Sequence, residues 1–143
     1  MKALIVIAAL VLALLGCQSH AQADPIEAAL GQEFVLHGGQ EVTIRDADLR
    51  LRFTDVLEDS RCPTEVECFW TGQARISVEA VLGQSAPTTL EFNTNPAPGQ
   101  GRMTIDVGDY TVELRSLDPY PKTPDDSPAL TDYSATLLVR KAA

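Results

Sequence analysis

The side chains that could do chemistry in this chain are few: three cysteines, two histidines and a single tryptophan. Cys62 and Cys68 enclose five residues, and two thiols that close are expected to pair once the chain reaches an oxidising compartment. Cys17 stands apart, at the end of an apolar run, in Leu14-Leu15-Gly16-Cys17. That tetrapeptide has the form of a bacterial lipobox, in which a small residue precedes a Cys destined for diacylglycerol. Leu15 departs from the usual Ala or Ser at its position. Lipid on Cys17 and a Cys62–Cys68 bridge together leave no spare thiol, and an exported protein seldom keeps one.

Nothing else in the sequence assembles a reactive centre. His20 lies in a polar stretch and His37 in a Gly-rich turn, with no G-x-S-x-G or other nucleophile motif to complete a triad. Two histidines without a free thiol do not make a zinc site. No catalytic residue, metal or cofactor is therefore expected. Asp55, Glu58, Asp59, Glu65 and Glu67 could in principle gather oxygens around calcium, but they lack the regular spacing of a calcium loop. They read as a solvated acidic rim.

The informative stretch is Glu58-Asp59-Ser60-Arg61-Cys62-Pro63-Thr64-Glu65-Val66-Glu67-Cys68-Phe69-Trp70-Thr71-Gly72-Gln73-Ala74. It holds the paired cysteines, the only Trp and a knot of charges. Trp70 is expected to pack over the disulfide and close one end of the domain, because it has a large apolar area to bury. The alternative makes Phe69 and Trp70 a partly exposed anchor for a protein or glycan partner, with Arg61 beside them, since Trp and Arg dominate binding hot spots. Arg61 is expected to pair with Asp59 or Glu58, or with loop carbonyls, before any ligand. Gly72 is expected to supply an unusual backbone angle.

This stretch, with Tyr110-Thr111-Val112-Glu113-Leu114, Pro119-Tyr120-Pro121 and residues 133 to 141, resembles a family of small bacterial secreted proteins and lipoproteins. The family pattern is DSRCP, a short spacer, then C-x-W-x-G-x-A. The likeness runs over roughly residues 33 to 141, with the paired-Cys stretch as its specific part. It implies export and architecture, and it transfers no catalytic residue.

The elements that must position this stretch follow from hydropathy. Lys2 and thirteen uncharged, mostly apolar residues from Ala3 to Leu15 form a signal peptide. As a helix they would reach only about 20 Å, short of a bilayer core of roughly 30 Å. Residues 1–16 are thus expected to be removed. Residues 17–29 would be the lipidated Cys and a polar tether, with one short helical turn possible over Pro25–Leu30. Cleavage after Ala23, in Ala21-Gln22-Ala23, is the competing process and would release the chain from the membrane.

Residues 30–143 form the remaining single domain, long enough for one core. Its recurring signal is alternation with period two, in short runs broken by Gly, Pro, Asp and Asn. Such runs occupy 33–36, 41–45, 49–57, 74–82, 88–92, 102–107, 110–117 and 133–141. They predict a single antiparallel β-sandwich of immunoglobulin-like type with about seven to eight strands. His37-Gly38-Gly39-Gln40 reads as a hairpin turn. Val56 is out of phase with Leu49, Leu51 and Phe53, which predicts a bulge near Thr54 or Asp55. Asn93–Gly101 and Asp118–Asp132 are Pro-rich connections.

Charge narrows the partners. The chain carries a formal net charge of −9, and loss of Lys2 with the signal peptide makes it more negative. Such a balance repels nucleic-acid phosphates and anionic head groups, so no nucleic-acid partner is expected. The expectation is a non-catalytic binding module at the cell envelope, anchored through lipid on Cys17. Gln18 lacks the Asp that retains enteric lipoproteins at the inner membrane, which favours the outer membrane. The alternatives are a secreted inhibitor of a hydrolase and a calcium-stabilised envelope protein.

Overall fold

The computed structural model describes residues 26–95 and 103–143. Cys17, the signal peptide and the competing cleavage site lie outside the described residues. Among the described residues nine strands make two sheets. They are β1 (Ile26–Ala29), β2 (Glu33–His37), β3 (Glu41–Arg45), β4 (Leu49–Asp59), β5 (Ala74–Leu82), β6 (Thr88–Asn93), β7 (Thr104–Val107), β8 (Tyr110–Asp118) and β9 (Ser134–Lys141). One sheet has the order β1-β3-β4-β5-β6 and the other β2-β9-β8-β7. The molecule is thus an all-β sandwich. It is wired as two meanders, β3 to β6 and β7 to β9, each of neighbours in sequence that pair antiparallel.

Alternation in the sequence becomes alternation of burial. Leu49, Leu51 and Phe53 of β4 point inward while Arg50 and Arg52 face solvent. They meet Ile76, Val78 and Ala80 of β5 on the same sheet, and Val112, Leu114, Leu137 and Val139 belong to the facing sheet; all are buried. Burying a side chain of this size stabilises by roughly 1.5–3 kcal/mol, so this shared layer dominates the stability of the fold.

Two local expectations are revised and a third holds. Residues 26–29 belong to the sandwich and not to a tether or a helical turn: β1 runs parallel to β3, pairing Ile26 with Val42 through Ala29 with Arg45. Tertiary pairing overrides the weak helical preference of this Ala-rich segment. Residues 37–40 do not close a hairpin, because β2 pairs with β9 and β3 pairs with β4. They carry the chain from one sheet to the other. Gly38 is pressed there against Leu130, whose carbonyl oxygen would lie 1.9 Å from an added Cβ. The bulge falls where the phase slip placed it, between Phe53 and Asp55, and a second shift follows between Val56 and Glu58. Thr54 fills the first irregularity by donating its hydroxyl to the Ser77 carbonyl at 3.0 Å.

Together β4 and β5 form a long ribbon, bent by these bulges, that carries residues 60–73 to one end of the sandwich. The Pro-rich connection from β8 to β9 lies at the same end and closes with a 3-10 turn at Leu130–Asp132.

Candidate functional site

Beyond Asp59 the ribbon continues as paired backbone. The Ser60 amide donates to the Gln73 carbonyl at 2.7 Å and the Cys62 amide to the Thr71 carbonyl at 2.8 Å. Gly72 makes this close approach possible. Its φ is +68°, and a Cβ there would stand 1.9 Å from the Ser60 carbonyl oxygen. The expected unusual angle and a tight backbone contact coincide at one residue. Cys62 and Cys68 then close the loop as a disulfide, with their Cα atoms 6.1 Å apart.

Arg61 anchors the stem from beneath. Only 8% of it is exposed. Its Nε and Nη2 donate to the two carboxylate oxygens of Asp59 at 2.8 and 2.7 Å. Its Nη1 donates to the Leu117 carbonyl and its Nη2 to the Pro119 carbonyl, both at 2.7 Å. The guanidinium also lies over the Tyr120 ring, 4.9 Å from the centroid. The expected pairing with Asp59 and with loop carbonyls is thus present. As a surface anchor for a partner, however, Arg61 is corrected: it is buried, and four hydrogen bonds commit its side chain to Asp59 and two carbonyls.

Tyr133 completes the buried cluster by donating its hydroxyl to Asp59 Oδ2 at 3.0 Å. Burial disfavours the Asp59 carboxylate, but the hydrogen bonds and charge of Arg61, with the Tyr133 hydroxyl, outweigh it and hold the group below its ordinary range. The same burial, reinforced by the bond to the Asp59 carboxylate, pushes the Tyr133 hydroxyl up to about 12.

The loop is also tied laterally. The Thr64 and Glu65 amides donate to the Pro121 and Lys122 carbonyls at 3.1 and 3.0 Å. The Tyr120 hydroxyl donates to the Cys62 carbonyl at 2.9 Å. From the other side Asn95 donates its amide to the Thr71 hydroxyl and the Gly72 carbonyl at 2.8 and 3.0 Å. Beside the stem lies a groove of about 390 Å³, lined by Arg61, Thr71, Asn95, Met103 and Tyr120 among others.

On this immobilised stem the tip is apolar and bare. Phe69 is fully exposed and Trp70 is 56% exposed. The expectation that Trp70 buries itself over the disulfide is therefore overturned, and the alternative of an exposed aromatic pair holds in its geometry. The physical reason is that the stem and its hydrogen bonds use the space beneath the loop, and the bridge lies at the exposed tip. Val66 and Tyr120 are exposed as well, so four of the six large apolar side chains exposed among the described residues gather at this end.

The acidic residues divide. Asp59 is spent on Arg61, and Glu58 on Arg75, whose Nε lies 3.0 Å from its carboxylate. Hydrogen bonds from Ser60 and then Arg75 lower the Glu58 pKa. Glu65 and Glu67 form no ion pair among the described residues and remain exposed. The calcium alternative thus loses Glu58 and Asp59 as donors. Among the described residues no group of three or more His, Cys, Asp or Glu side chains is arranged to hold a metal ion. Asp59's partner Tyr133, the carbonyls of Leu117 and Pro119, and Asn95 were not legible as site residues, since they meet the loop only through tertiary folding.

No protein-family model, curated protein or solved structure matches this chain.

Proposed function

We propose that this chain is an exported protein of the bacterial cell envelope, anchored through lipid on Cys17, whose sandwich presents residues 62–70 as a rigid, non-catalytic recognition loop. The observation that carries the reading is the exposure of Phe69 and Trp70 on a stem tied down from every side. Leaving Phe69 fully and Trp70 half in water forgoes on the order of 1–3 kcal/mol each that burial would return. Contiguous apolar surface of this kind marks interaction sites on folded proteins. Rigidity supports the same role, because a loop already ordered loses less entropy on docking. The non-catalytic part draws support from the charged groups of the stem, which are committed to structural partners: Asp59 to Arg61 and Tyr133, and Glu58 to Arg75. The disulfide favours an oxidising compartment.

A photo-crosslinking residue at Phe69 in living cells tests the loop, with Thr89, exposed on β6, as the control position. Adducts from Phe69 and none from Thr89 are expected; matching patterns from the two positions would remove the reading. The anchor is tested separately. Cys17→Ser should move the protein from the membrane to the released fraction, and an unchanged distribution would refute lipidation.

The rigidity of the stem favours a second reading, inhibition of a hydrolase whose cleft accepts the loop. Turnover by a panel of envelope hydrolases in the presence of micromolar protein decides it, and unslowed turnover removes it.

A further inference from the structure

The chemistry around the aromatic tip restricts what can dock there. Phe69 and Trp70 follow closely on Glu65 and Glu67 in the same loop, and both acids are exposed and without ion pairs among the described residues. Through the bonds from Thr64 and Glu65, the tip is joined to the 119–128 segment, which adds exposed Asp125 and Asp126 and one cation, Lys122. The apolar tip and the segment tied to it thus carry four exposed carboxylates, Glu65, Glu67, Asp125 and Asp126, against one exposed ammonium, Lys122. The Lys122 and Thr123 amides bond to Asp126, and those bonds lower its pKa, so this acid remains ionised at neutral pH.

We propose that this loop receives a cationic amphipathic protein segment, which sets a bulky apolar group against Phe69 and Trp70 and its Lys or Arg groups against Glu65 and Glu67. The proposal rests on the recognition reading above and names its partner class. Two independent attractions select a cation here. Carboxylates attract it directly, and the exposed face of Trp70 offers a cation–π contact. The protein already makes this trio internally, where the Arg61 guanidinium lies over Tyr120 and against Asp59. The net charge of −9 adds long-range steering toward a basic partner. An acidic or phosphate-rich partner meets repulsion from the same carboxylates.

Trp70 is the only tryptophan, so its emission reports on the tip alone. The exported protein carrying Cys17→Ser, and hence free of lipid, is titrated with a short Lys/Leu peptide of amphipathic helical design and with its Glu/Leu counterpart. The Lys/Leu peptide should shift Trp70 emission to the blue with micromolar affinity, and the Glu/Leu peptide should leave it unchanged. Affinity should weaken on the order of tenfold between roughly 50 and 300 mM salt. Phe69→Ala should cost about thirtyfold, as for a hot-spot truncation. The double change Glu65→Gln, Glu67→Gln should flatten the salt dependence. Both positions are exposed, so these variants keep the fold.

No shift with the Lys/Leu peptide overturns the proposal, as does binding indifferent to Phe69→Ala, which would be unspecific charge attraction. A Trp70 shift with phosphatidylethanolamine vesicles in place of the peptide would assign the loop to a lipid surface and overturn it too. Crosslinks from Phe69 to an envelope component, combined with failure of the peptide, would retain the recognition loop and reject the cationic partner.

Discussion

Arg61 and Asp59, two residues apart in sequence, face each other as a bidentate ion pair that is nearly closed to solvent, with side chains 7% and 13% exposed. The pair joins the end of β4 to the Leu117 carbonyl at the end of β8 and the Pro119 carbonyl just beyond it, so one guanidinium connects both layers of the sandwich.

Arg61→Ala leaves the Asp59 carboxylate buried and two carbonyls without their donor. Breaking one side of a buried pair costs about 3–5 kcal/mol. Urea unfolding should show the midpoint falling accordingly. Arg61→Lys should recover only part of the loss, because an ammonium cannot reproduce the fork. A change under about 1 kcal/mol for Arg61→Ala would mean the pair is not closed to solvent in solution.

The pH dependence of stability has two limbs. The folded pKa of Asp59 lies below its ordinary 3.8, so its contribution is present above that value and is lost as the pH falls through the folded pKa. Glu58 and Glu113 are shifted the same way and add to this acid limb. Tyr133 has the opposite sign. Its folded pKa is raised from 10.0 to about 12, so its contribution is complete below pH 10 and disappears as the pH climbs toward 12. Phenolate absorbance should show one of the three tyrosines ionising late. Tyr133→Phe should remove that late step and flatten the alkaline limb in urea unfolding.

Gly72→Ala must both hold alanine at a φ of +68° and accommodate a Cβ 1.9 Å from the Ser60 carbonyl oxygen. Gly31 has a similar φ of +76° with nothing within 4 Å. The comparison separates strain from clash. Gly31→Ala should cost about 1 kcal/mol, and Gly72→Ala at least about 2 kcal/mol more, read as a difference in thermal midpoints. Equal costs would show that the stem opens without penalty.

Removing the bridge with Cys62→Ser and Cys68→Ser frees a loop of seven residues, for which chain entropy gives a loss of about 2.4 kcal/mol. The sheets should survive, since the Arg61 cluster and the amides of Thr64 and Glu65 still hold the stem. Far-ultraviolet circular dichroism should stay unchanged while urea stability drops. Loss of the β signal would show instead that the stem depends on the covalent link.

Strand after strand was legible because half-buried strands write their burial into alternate residues, as Leu49, Leu51 and Phe53 do. The bulge was legible for the same reason, as a break in phase at Val56. β1 was not: Ile26-Glu27-Ala28-Ala29 is short, built from helix-compatible residues, and made a strand by its partner Val42–Arg45. The change of sheet at Gly38 was hidden because a Gly-Gly turn permits a hairpin and a crossing equally. At the site, Asp59 beside Arg61 suggested a pair, but nothing local announces carbonyls at Leu117 and Pro119, fifty-six and fifty-eight residues away. The type of Trp70 argued for burial, and only the crowding beneath the loop decides against it.

The parallel pairing of Ile26–Ala29 also decides which strand forms the edge of its sheet. These four residues cover the outer row of amides and carbonyls on β3. A chain trimmed to begin at Leu30 would bare that row and present a template on which other strands could grow, so self-association, not simple loss of stability, is the hazard of shortening it.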